Sequence, residues 1–104
     1  MKTRIENFSG IINNCDERWT KEILTTHLQR AGFNILGFID HQFDKFGYSA
    51  IWLLGESHLA IHTFPENNNA YIELSSCLPK KGELFWENLS QDVSFSKEYK
   101  RIVE

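Results

Sequence analysis

The segment Leu54-Gly55-Glu56-Ser57-His58-Leu59-Ala60-Ile61-His62-Thr63-Phe64-Pro65-Glu66 concentrates reactive side chains around a tight turn. A serine in a turn is ordinarily just a turn former. It can also attack the carbonyl carbon of its own preceding peptide bond, turning an amide into an ester. A base then removes the serine α-proton and the ester leaves by β-elimination. The dehydroalanine left behind hydrolyses to a pyruvoyl group at a new N-terminus. That sequence of steps requires an exposed, strained turn, a donor for the tetrahedral oxyanion and a nearby base. Gly55-Glu56-Ser57 supplies the turn, and Ser49 and His62 flank it. A hairpin through the turn is expected to bring both back toward Ser57.

Periodicity predicts the elements that position these groups. Ile5 to Ile12 reads as a strand closed by Asn13-Asn14. Asp16 is a helix N-cap and Gly32 a helix C′ glycine, with Trp19, Ile23, Leu24, His27, Leu28 and Ala31 on one face between them. Phe33 to His41, Tyr48 to Leu54, His58 to Thr63, Ala70 to Ser75 and Val93 to Val103 read as strands, and Lys81 to Leu89 as a short helix. The order β-α-β-β-β-β-α-β predicts an α/β (α+β) two-layer sandwich, a mainly antiparallel sheet with helices on one face.

Simpler readings compete at each position. Cys77 suits a small buried hydrophobe and His62 a satisfied core histidine. Phe43 and Phe46 are more often core than stacking platform. On an extended strand His58 and His62 stand roughly 13 Å apart at about 3.3 Å per residue, so one metal cannot take both. No metal site is expected.

Taken together, Glu56-Ser57-His58, His62-Thr63-Phe64-Pro65-Glu66 and Cys77 resemble the signature of bacterial S-adenosylmethionine decarboxylase proenzymes. His41-Gln42-Phe43 and Gly47-Tyr48-Ser49 extend the resemblance upstream, and Cys15-Asp16 and the first helix carry it more weakly. The resemblance implies self-cleavage between Glu56 and Ser57 into a β chain of residues 1–56 and an α chain of residues 57–104. Ser57 becomes the covalent pyruvoyl cofactor. His62 is implied as the base for β-elimination, and Ser49 as the hydrogen-bond partner of the oxyoxazolidine intermediate. Cys77 is implied as the acid that reprotonates the substrate α-carbon, Glu66 as the holder of the ribose hydroxyls, and Phe43 as the stacking partner of adenine. The implied reaction converts S-adenosylmethionine to its decarboxylated form for spermidine synthesis, in a homodimer with the active site near the subunit contact.

The general chemistry is consistent with that assignment. A pyruvoyl carbonyl condenses with an α-amine and accepts electrons as carbon dioxide departs. A sulfonium favours aromatic faces, which Phe43, Phe46, Tyr48 and Phe64 offer. The stretch Asn7 to Asn14 departs from the family's His-Leu and acidic pattern, Leu78 replaces a common glycine, and Phe64 stands where tryptophan is common. Two alternatives follow: a pyruvoyl decarboxylase of arginine or ornithine, and an uncleaved, non-catalytic homologue that binds a partner.

The chain of 104 residues fits one domain with a modest core, for which pairing with a copy of itself is physically reasonable. A formal net charge of −3 makes nucleic acid a poor partner. Lys97, Lys100 and Arg101, interrupted by Glu98, read as a solvated face. The N-terminal residues Met1 to Glu6 lack the apolar run of a signal peptide, and no stretch approaches a membrane span. The cytoplasm is the expected compartment, with Cys15 and Cys77 as free thiols.

Overall fold

The computed structural model describes residues 3–104. In chain order the elements are β1 (Ile5–Ile12), α1 (Glu17–Arg30), β2 (Ile35–Gln42), β3 (Tyr48–Leu54), β4 (Ser57–Phe64), β5 (Asn69–Ser76), α2 (Pro79–Asp92) and β6 (Phe95–Val103), with a 3₁₀ turn at Pro65–Asn67. Among the described residues the strands form one sheet in the order β2-β3-β4-β5-β1-β6, and every pairing is antiparallel. The expected α+β sandwich is the architecture found.

The sequence explains why α1 starts and stops where it does. Asp16 accepts a hydrogen bond from the Trp19 backbone N–H at 2.7 Å, filling an orphan donor of the first turn. After the last turn, Gly32 has a φ of 88°, a left-handed geometry in which a side chain is strained. The second helix is longer than expected because Pro79 fits its first turn, where no backbone N–H is needed.

Period-two alternation gives the sheet two unlike faces. Phe8, Ile12, Trp52, Leu54, Leu59, Ile61, Ile72 and Leu74 point toward the helices and are buried with Leu24, Leu28, Phe85 and Leu89. Trp86 lies between Phe8 and Phe95, at ring-centroid distances of 5.7 and 4.8 Å. Gly10 makes room for Phe95, whose ring would sit 2.5 Å from any added Cβ. His27 Nε2 and Asp92 Oδ2, 2.6 Å apart, tie α1 to the end of α2. Among the described residues no helix covers the opposite face of the sheet.

Candidate functional site

β3 and β4 form a hairpin with Leu54 paired to Ser57, leaving Gly55 and Glu56 as a two-residue loop. Glu56 has a φ of 59°. A non-glycine residue in the left-handed region costs on the order of 1–3 kcal/mol, held here by the hairpin on either side. The strained residue is the one whose carbonyl would be attacked. That carbonyl accepts a hydrogen bond from the Cys77 backbone N–H at 3.4 Å, a donor suitably placed for a developing oxyanion.

The expected exposed turn is only half present. Glu56 is exposed, whereas Ser57 is 8% exposed and turned toward the helix side of the sheet. Its hydroxyl donates to Ser76 Oγ at 3.1 Å, and Ser76 in turn accepts from the Leu78 backbone N–H at 2.9 Å. Cys77, just beyond β5, is exposed with a free thiol, so it is not a buried hydrophobe. Glu56, Ser57, Ser76 and Cys77 thus form one cluster at the turn end of the hairpin.

Ser49 and His62 do not join that cluster. They pair with each other at the opposite end of the hairpin, with Ser49 Oγ and His62 Nδ1 2.7 Å apart. His62 lies five positions from Ser57 along β4, about 16 Å at 3.3 Å per residue. The odd offset also puts it on the other face, because successive side chains alternate sides. His62 is exposed, which removes the core-histidine reading.

A second cluster gathers there instead. A pocket of about 350 Å³ is lined by Phe43, Phe46, Ser49, His62, Phe64 and Glu66 among others. Phe43 and Phe46 are 50% and 63% exposed, so neither is core. The loop holding them closes through a hydrogen bond from the Phe43 N–H to the Gly47 carbonyl, with Gly47 at a φ of 93°. Tyr48, at the pocket floor, donates to Asp40 at 2.7 Å, and burial together with that carboxylate pushes its hydroxyl well above the usual tyrosine range.

Every site residue expected from sequence therefore falls in one of two clusters, and the two lie at opposite ends of one hairpin. Sequence reasoning missed Ser76 and the Cys77 backbone, since neither a second serine nor a main-chain N–H stands out before register is known. Lys97, Lys100 and Arg101 are exposed, as expected, and Lys100 also reaches Glu83 at 3.0 Å and the buried Glu6 at 3.4 Å.

Known proteins match both sequence and fold. Residues 9–101 match the family described as S-adenosylmethionine decarboxylase. A Prochlorococcus marinus S-adenosylmethionine decarboxylase proenzyme is 42% identical over 62 residues, covering 60% of this chain and 50% of that protein. A Pseudomonas aeruginosa protein of the same name is 32% identical over 74 residues, covering 70% of this chain and 46% of that one. The chain thus spans about half the length of the curated relatives it matches. The crystal structure of the adenosylmethionine decarboxylase from Aquifex aeolicus superposes with a TM-score of 0.79 at 21% identity, over 100% of this chain and 92% of that one, and so shares the fold. With a match over nearly its whole length, this chain belongs to the S-adenosylmethionine decarboxylase family.

Proposed function

We propose that the chain is a self-cleaving proenzyme that becomes a pyruvoyl-dependent decarboxylase of S-adenosylmethionine. The observation that carries this is the turn: a strained Glu56 precedes Ser57, and its carbonyl already has a backbone donor. No reactant other than water is needed to make the cofactor there. Once formed, the group supplies an electron-accepting carbonyl for the amine of an α-amino acid.

The remaining roles belong to side chains. The exposed Cys77 thiol gives a proton to the substrate α-carbon. His62, oriented by Ser49, takes the Ser57 α-proton during maturation. Phe43, Phe46 and Phe64 form an aromatic pocket suited to adenine and a sulfonium, and Glu66 at its rim suits vicinal hydroxyls. An adenosyl-bearing amino acid uses all of these features, whereas arginine or ornithine leaves the aromatic pocket without a partner.

These roles require the two clusters to meet, and one chain holds them about 16 Å apart on a rigid hairpin. A second copy resolves this. Its open sheet face, laid on the first with strands reversed, places the Ser57 and Cys77 end of each copy over the Phe43, His62 and Glu66 end of the other. A two-fold axis then makes two equivalent sites. Ile39, Ile51 and Leu53, at 70%, 45% and 56% exposure on the open face, give that contact an apolar border. The substrate assignment is checked by release of labelled carbon dioxide from carboxyl-labelled S-adenosylmethionine, arginine and ornithine. Release from the first alone is expected; release from only the amino acids would reassign the substrate.

A further inference from the structure

Removing a proton from Ser57 Oγ is a step for which neither His62 nor Cys77 is placed, and a buried acid lies on that side of the sheet. Glu6 on β1 is 1% exposed. It stands directly opposite Ser76 on β5, and Ser76 stands directly opposite Ser57 on β4. The three side chains make one row across adjacent strands on the helix-covered face, with neighbouring β-carbons about 5 Å apart. Ser57 already donates to Ser76. Both Glu6 oxygens lack a hydrogen-bond partner among the described residues, an expensive arrangement for a buried carboxylate. Its charge is balanced by Arg4, just before β1, at 3.9 Å and by Lys100 of β6 at 3.4 Å, and Lys100 is anchored to Glu83 of α2 at 3.0 Å.

We propose that Ser76 and Glu6 form a proton relay for self-cleavage, with Ser76 touching the reacting hydroxyl and Glu6 as the positioning residue behind it. As Ser57 Oγ bonds to the Glu56 carbonyl carbon, its proton passes to Ser76 and the Ser76 proton turns from the Leu78 carbonyl to Glu6. When the Glu56–Ser57 C–N bond breaks, the proton returns along the row to the leaving nitrogen. The amide-to-ester shift is then balanced in protons and needs no outside reactant. Arg4 and Lys100 place positive charge beside the Glu6 carboxylate that accepts the proton. The relay acts before any substrate binds, and it deepens the self-cleaving reading on which it rests.

The test follows cleavage of freshly synthesised, pulse-labelled full-length chain as a function of pH, for wild type, Glu6→Gln, Ser76→Ala and the double variant. Folding is checked separately by thermal melting of each variant in a Ser57→Ala background. Wild-type cleavage is expected to slow toward acid pH. Glu6→Gln is expected to cleave about 10-fold or more slowly and to lose that acid limb. The double variant is expected to be no slower than the slower single one, because both cut one relay. A folded Glu6→Gln that cleaves at the wild-type rate, or that slows with its pH profile unchanged, overturns the relay. If Glu6→Gln does not fold, Ser76→Ala decides: cleavage at the wild-type rate overturns the relay, and the same slowing supports it. An uncut wild type overturns the self-cleaving reading and the relay with it.

Discussion

Cys77 offers two separable functions, because its backbone N–H faces the Glu56 carbonyl while its thiol is exposed and free. Substituting the side chain leaves the backbone donor in place. Cys77→Ala is therefore expected to keep self-cleavage and to lose about 100-fold or more in decarboxylation, as when an acid is removed from a reacting carbon. Fragment mass and carbon dioxide release, measured on the same sample, separate the two. Tyr48 sets a different limit. Its hydroxyl titrates above the ordinary value near 10 because it is buried beside Asp40, so the unfolded chain ionises first. Stability from this residue is complete below about pH 10 and falls as pH rises above that. Tyr48→Phe is expected to flatten the alkaline loss of stability, read by denaturant unfolding from pH 8 to 11. At this scale the residue types of the proposed site were legible in the sequence, because Ser57, His62, Glu66 and Cys77 sit at informative spacings. Ser76 was not, since a serine beside a cysteine carries no signal until strand pairing sets it against Ser57.

The elements were read more easily than their consequences. The β1 span and the α1 cap at Asp16 follow from alternation and capping, and both appear where expected. The hairpin also appears, but its register was out of reach: a two-residue loop pairs Leu54 with Ser57 and so sends Ser49 and His62 to the far end. A turn former and its flanking histidine look close in sequence, yet each strand residue adds about 3.3 Å of separation. The loop itself stores strain, because Glu56 adopts a conformation favoured by glycine. Glu56→Gly is expected to relieve about 1–2 kcal/mol at the scissile carbonyl and so to slow cleavage by about 5- to 30-fold. Time courses of precursor loss check this, and unchanged or faster cleavage would remove strain from the account.

For the whole molecule, two half-sites at opposite ends of one hairpin and an uncovered sheet face call for a second copy. Sequence could suggest self-association from the small core, but not that a single chain holds the two clusters apart, because that depends on which end of a strand each residue occupies. Mixing offers a direct check. Cys77→Ala and Glu66→Ala chains are each expected to be nearly inactive, and a mixture refolded together should recover roughly a quarter of wild-type activity, since each mixed two-fold pair keeps one intact site. Activity that stays at the level of the single variants would place the whole site within one chain. All of this rests on the chain cutting itself, which the intact mass of purified wild type, run beside Ser57→Ala, tests most directly. The account predicts fragments of residues 1–56 and 57–104 from wild type, the second without a free amine and reactive to carbonyl reagents, and one uncut chain from Ser57→Ala. A wild-type chain that stays whole after long incubation would contradict it.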